Sequence, residues 1–172
     1  KPYEVIIADD GSNIKNKEVI DDFSSIFELN LIHSFQEDNG FRVAESRNRA
    51  ISLSSGEYII LIDGDMLLHS EFIHDHAKNA QIGFYIQGSR VLLSNIKTEE
   101  VLKNKRIHFN FFETGFKNRF NSIHSRLFSK IFTTHSIELK GVRTCNMSFF
   151  KKDCININGF NMDFKGWGRE DS

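Results

Sequence analysis

Residues 57–65 read E-Y-I-I-L-I-D-G-D. Glu57 to Ile62 (E-Y-I-I-L-I) is a short β-branched run without polar alternation, and it stops abruptly at Asp63-Gly64-Asp65. Such a run predicts a strand covered on both faces, as in a parallel sheet. The design recurs near the start of the chain, where Tyr3 to Ala8 (Y-E-V-I-I-A) runs into Asp9-Asp10-Gly11-Ser12. If the two strands are parallel, both acidic ends lie at one sheet edge, the carboxyl edge where open α/β sheets hold ligands. Carboxylates crowded there repel one another unless a cation or hydrogen-bond donors compensate. Asp63-Gly64-Asp65 suits a hard divalent ion, because two oxygen ligands leave positions for water and substrate phosphates. Gly64 lets the backbone turn so that both carboxylates reach one site. Taken alone, the triplet also fits a plain D-G turn with a capping aspartate.

Around these strands the pattern alternates. Leu29 to His33 is a further strand candidate, Arg42 to Ser54 reads as a helix stopped by Gly56, and a helix is expected from Ser70, a good N-cap, to about Ala80. Ile82 to Leu93 is strand-like, and Gly141 to Phe150 is the last strand candidate. Strand, helix, strand order predicts an α/β domain with helices on both sheet faces. Within the 42–54 helix, Val43, Arg47 and Ile51 are four apart and share the inward stripe, while Arg49 points away. An inward guanidinium requires an anion: a carboxylate such as Asp63 or Asp10, or a phosphate.

Two further stretches stand out. Phe is the unusual residue, with 17 copies. Phe109, Phe112, Phe116, Phe120, Ile123, Leu127 and Ile131 recur at steps of three and four, as one helical stripe, with Gly115 marking a break. Lys117, Arg119, Arg126 and Lys130 lie off that stripe, with Glu113 opposing them. Such a helix packs its Phe side onto the sheet or rests on a membrane surface. The tail from Gly159 to Asp171, G-F-N-M-D-F-K-G-W-G-R-E-D, sets the single Trp between glycines and next to acids. Trp167 suits stacking against a sugar face, and Glu170 and Asp171 suit hydrogen bonding to hydroxyls or taking a proton from one. A solvated surface turn is the plainer alternative.

Composition narrows the class. The 172 residues carry Lys+Arg 22 against Asp+Glu 23, a net charge of -1, which excludes the electrostatic footprint of a general nucleic-acid binder. The length suits one domain, and no apolar run is long enough to span a membrane. Cys145 and Cys154 form no C-x-x-C pair and favour a reducing compartment. The start at Lys1-Pro2 and the end in the charged run Arg169 to Ser172 suggest a segment of a longer protein.

Taken together, V-I-I-A-D-D-G-S, A-E-S-R-N-R-A-I-S-L-S-S-G-E-Y-I-I-L-I-D-G-D, C-N-M-S-F-F-K-K-D and N-G-F-N-M-D-F-K-G-W-G-R-E-D resemble the inverting family 2 glycosyltransferases of the GT-A fold. The tail looks like the segment shared by chondroitin-type polymerases and β-1,4-galactosyltransferases. The resemblance covers nearly the whole chain except about residues 95 to 140. It implies a Rossmann-like, mixed but mostly parallel sheet, truncated at both ends. Residues 1–94 would form a nucleotide-sugar-binding half, 95–140 a variable Phe-rich helical insert, and 141–172 an acceptor-binding and catalytic segment of one domain.

The resemblance also implies roles. Asp9 and Asp10 would contact the nucleotide base and ribose, with Arg47 on the same side of the pocket. Asp65 would ligate Mn²⁺ or Mg²⁺ directly, with Asp63 also at the metal and nearer the ribose. Trp167 and Glu170 would hold donor or acceptor sugar, and Asp171 would be the catalytic base. The family's first strand and helix would precede Lys1, and its His metal ligand would follow Ser172, with His135 a weak substitute. The reaction implied is metal-dependent transfer, with inversion, from a nucleotide-diphosphate donor, a UDP-sugar by family expectation, to a glycan or lipid-linked acceptor in bacterial surface polysaccharide synthesis. A cytoplasmic location with peripheral contact at the inner membrane face would suit it. Two alternatives remain at this point: a non-catalytic sugar-nucleotide or glycan-binding module of a larger synthase, and a sugar-phosphate nucleotidyltransferase.

Overall fold

The computed structural model describes residues 2–26, 28–137 and 142–163. Strands β1 (Glu4–Asp10) and β2 (Asn30–Gln36) pair in parallel, in register from Glu4 opposite Asn30 to Asp10 opposite Gln36. A parallel pair requires a crossover, and α1 (Ile14–Ile26) supplies it. Helix α2 (Val43–Leu53) then begins against the end of β1, because the Arg42 N–H donates to Asp10 Oδ2 at 2.6 Å. It finishes at the beginning of β1, where the N–H groups of Ser55 and Gly56 donate to Glu4 Oε1 at 2.7 and 2.9 Å. Strand β3 (Tyr58–Ile62) leaves from that same point. The far end of β3 returns to the first half of α2, where Asp63 lies 4.0 Å from Arg47, and the far end of β1 holds the start of that helix through Asp10.

Helix α3 (Phe72–Lys78) leads to β4 (Tyr85–Gln87) and β5 (Leu92–Leu93), then to α4 (Asn95–Asn104), capped by the Ser94 hydroxyl accepting from Lys97 N–H. Strand β6 (Phe116–Lys117) pairs with β5, and a short 3₁₀ turn at Arg119–Ser122 precedes α5 (Arg126–Phe132). Strand β7 (Asn146–Phe150) inserts between β3 and β4, antiparallel to both, and α6 (Lys151–Asn156) follows it.

The buried strand β7 organises the core. Met147 and Phe149 point to one face and pack with Ile51 of α2, Cys154 of α6, Ile59, Leu61 and Phe160. Asn146 and Ser148 alternate to the other face, where His76 of α3 covers them. Helices thus lie on both faces of this ladder, and the α/β class holds.

Several expectations require correction. The described strands form three separate ladders, of which β1–β2 is parallel and β3–β7–β4 and β5–β6 are antiparallel. An apolar run specifies burial but not strand direction, and β7 begins opposite Ile62, the last residue of β3. The 82–93 strand is two short pieces, β4 and β5. The α3 N-cap is Glu71, with Ser70 in the preceding turn. The Phe-rich 104–132 stripe is not one helix. Its first half is irregular, with Lys105, Gly115 and Asn118 at φ 49°, 89° and 58°, values that end a helix rather than continue it. An ion cluster replaces the expected helical turns. Lys97 Nζ bonds Glu113 and Glu100 at 2.8 and 3.0 Å, and Arg106 bonds Glu113 and forms an ion pair with Glu100 at 3.5 Å. Lys97, the Asn110 N–H and Arg106 together hold the Glu113 carboxyl down at about 2.

Candidate functional site

The end of β1 is a tightly bonded corner. Asp9 is buried, and its two oxygens accept from Ser12 N–H and face His33 Nε2, each at 2.8 Å. Burial pushes the Asp9 carboxyl up, but the bonds from Ser12 and His33 outweigh it and leave the group below the usual carboxylate range. Asp10 Oδ1 accepts from Gln36 Nε2 at 2.6 Å, and Oδ2 from Arg42 N–H at 2.6 Å. All four carboxylate oxygens therefore have protein partners. Gly11 makes the corner feasible, since at φ 92° a Cβ would collide with the Asp38 backbone.

The end of β3 differs. Asp63 O accepts from Met66 N–H at 3.3 Å, so residues 63–66 form a turn that lifts Asp65 into solvent. Asp63 is half-buried, and its Oδ1 lies 4.0 Å from Arg47 Nη2. Arg47 itself is largely buried on the inward side of α2, as its spacing predicts, while Arg49 is exposed. The guanidinium lies over the Phe160 ring, 5.6 Å from its centroid. Neighbouring Asn48 bonds the Phe160 backbone in both directions, Nδ2 to O and Oδ1 from N–H, each at 2.8 Å.

Arg47 and Asp63 thus meet beside the half of α2 whose start is held by Asp10, with Asp65 exposed on the turn that follows, while Trp167, Glu170 and Asp171 lie outside the described residues. Among the described residues no three His, Cys, Asp or Glu side chains gather as a metal site. The donor set at the β3 turn is nonetheless hard oxygen, with Gly64 open on its Cβ side, which fits a divalent cation that takes few protein ligands and shares phosphates. His135, the weak substitute ligand, packs edge-on against Phe84 instead. His33, Asn48 and Phe160 were not singled out by spacing. The visible signals were Asn48 beside Arg47, and the N-G-F triplet at 158–160.

Comparison with known proteins supplies the remaining findings. Residues 1–140 match the family model described as glycosyl transferase family 2, and residues 127–172 match that described as the N-terminal domain of galactosyltransferase. The chain is 25% identical to chondroitin synthase of Escherichia coli, over 99% of this chain and 27% of that protein. It is 31% identical to hyaluronan synthase of Pasteurella multocida, over 44% of this chain and 8% of that protein. It is also 25% identical to validoxylamine A glucosyltransferase of Streptomyces hygroscopicus, over 98% of this chain and 42% of that protein. The chain spans less than half the length of each of these relatives.

Proposed function

Because the chain belongs to glycosyl transferase family 2, we propose that it moves a sugar from a nucleotide-diphosphate donor, a UDP-sugar, to a glycan or lipid-linked acceptor hydroxyl. The observation that carries this is the edge where α2 starts, with Arg47 beside Asp63 and the Asp63-Gly64-Asp65 turn opening to solvent. Arg47 offers the donor a fixed guanidinium, suited to bidentate bonding of a phosphate. Asp9 and Asp10 shape the wall of the nucleotide pocket, and each of their oxygens keeps a second lone pair for base or ribose. Asp63 and Asp65 would hold Mn²⁺ or Mg²⁺, which supplies charge stabilisation to the departing diphosphate. Asp171 is the proposed base for the acceptor hydroxyl, with Trp167 and Glu170 holding sugar; their matching segment lies within the galactosyltransferase-type model.

Relatives named chondroitin synthase and hyaluronan synthase support a polysaccharide acceptor. The same names weigh against a nucleotidyltransferase or a purely binding module. Peripheral membrane contact belongs to the proposal as well. From Thr114 to Ile137 the chain contains no acid, carries Lys117, Arg119, Arg126 and Lys130, and exposes Phe120, Leu127, Phe128, Ile131 and Phe132. No helix of the described residues is long and apolar enough to cross a membrane.

The test is calorimetric titration of UDP into the full-length protein with and without Mn²⁺, beside Asp65→Ala, with GDP and dTDP as comparators. UDP binding that requires Mn²⁺ and disappears in Asp65→Ala is expected. Equal binding in Asp65→Ala, or preference for another nucleotide, would overturn the metal or the donor assignment respectively.

A further inference from the structure

Helix α2 and the segment after α6 are 112 residues apart, yet they are joined by a pair of hydrogen bonds that satisfies both backbone groups of one residue. Asn48 spends its amide on Phe160 as a strand neighbour would, donating to the carbonyl and accepting from the N–H. The approach to it is equally specified. Helix α6 stops with Asn158 and Gly159 both left-handed, at φ 63° and 71°, and a Cβ on Gly159 would collide with Asn48 Oδ1. Phe160 is thereby fixed in position, edge-on to Phe149 of β7 at 6.4 Å between centroids, with its face beneath the Arg47 guanidinium.

A guanidinium on a long, flexible side chain needs such a platform if it is to wait at one place. We propose that Asn48 and Phe160 are positioning residues that hold Arg47 at the Asp63 end of the donor site, so that binding of a nucleoside diphosphate depends on both. This rests on the donor-site assignment above. Asn48 locks the Phe160 backbone, the Phe160 ring supports the guanidinium, and Arg47 meets the anion.

The experiment is titration of UDP with Mn²⁺ into full-length Asn48→Ala, Phe160→Leu, Phe160→Tyr, Arg47→Ala and the Asn48→Ala/Arg47→Ala double variant, each checked by thermal melting. Asn48→Ala and Phe160→Leu are expected to weaken UDP about fivefold or more, the size of a lost cation–π contact. Phe160→Tyr keeps a ring and should bind as the parent does. Because Asn48 acts through Arg47, the double variant should bind no more weakly than Arg47→Ala. A folded Phe160→Leu that binds UDP as the parent does, or additive losses in the double variant, would overturn the positioning role while leaving the donor site standing. If Arg47→Ala and Asp65→Ala both bind UDP normally, the donor-site assignment fails and the positioning role fails with it.

Discussion

Four aspartates at the ends of apolar runs look equivalent in the sequence, and the structure separates them by what their oxygens already hold. Asp9 is committed to Ser12 and His33, Asp10 to Gln36 and Arg42, whereas Asp65 stands in solvent on a turn. Asp9→Ala strips two partners from a buried corner and should cost about 1–3 kcal/mol of stability, read as a lower urea midpoint. Asp65→Ala should leave that midpoint unchanged while removing metal-dependent nucleotide binding. The pH dependence has a definite sign. Asp9 titrates below its ordinary value of about 4 in the folded chain, so its contribution is present above that pH and is lost as acid takes the folded group through its own pKa. Asp9→Ala should therefore show a smaller loss of stability between about pH 4 and pH 2 than the parent. Equal acid sensitivity would mean that the corner is held by something other than this carboxylate. That Asp9 would be the buried member was not readable from D-D-G-S. The alternation of β1 says only that one of the pair turns inward, and which one depends on β2, more than twenty residues away.

At the level of elements, the helices with strong local signals were legible and the Phe-rich stretch was not. The 42–54 helix came out within a residue of its bounds, because its apolar spacing and the stop at Gly56 agree. The three- and four-residue spacing of Phe109 to Ile131 counted as a helix signal although Gly115 interrupts it and Asn118 adopts a left-handed turn. Charge pairing then decided the structure. Glu113 turns back to Lys97 and Arg106 rather than continuing a helix, and only the last piece, α5, keeps a helical face with Leu127, Phe128 and Ile131 exposed. This shorter element is where membrane contact is to be tested. Full-length protein should co-sediment with vesicles containing phosphatidylglycerol and do so less with phosphatidylcholine alone. Lys130→Glu should weaken the anionic arm about fivefold or more, since one basic residue near such a surface contributes about 1 kcal/mol and the change also adds an acid. Phe128→Ser with Ile131→Ser should weaken both arms. Equal binding to the two kinds of vesicle, or no dependence on these residues, would remove this face as the contact.

Across the whole molecule, the part least visible in the sequence is the polar layer that ties α3 to the β3–β7–β4 ladder. C-N-M-S-F-F was readable as a strand, but nothing in that run shows what faces Asn146 and Ser148, because their partner His76 is 70 and 72 residues away. The donor order of this layer follows from its two ends. Asn146 Nδ2 donates to Ser89 O at 3.0 Å, so Asn146 Oδ1 is the acceptor from His76 Nε2–H at 2.9 Å. His76 Nδ1 then accepts from the Ser148 hydroxyl at 2.6 Å, and Ser148 in turn accepts from Tyr58 OH at 2.7 Å. Each member is satisfied only while the imidazole is neutral, since a second ring proton would face the Ser148 hydroxyl proton. Burial pushes the His76 pKa down, and the Asn146 bond and nearby Asp75 only partly offset it. The unfolded chain therefore takes up a proton below about pH 6.5 that the folded chain refuses, and stability falls as pH falls from there. The slope from this one group approaches about 1.4 kcal/mol per pH unit at most. His76→Gln keeps a polar group in the layer but does not titrate. It should be less stable than the parent at pH 7 by about 1–3 kcal/mol, yet should lose little more between pH 7 and pH 5. Urea midpoints at three pH values for both proteins decide the matter. A His76→Gln variant with the parent's full pH slope would place the acid-sensitive group elsewhere, and a flatter one would identify the buried imidazole as the point through which mild acid loosens the packing of α3 on the ladder that ends in Asp63.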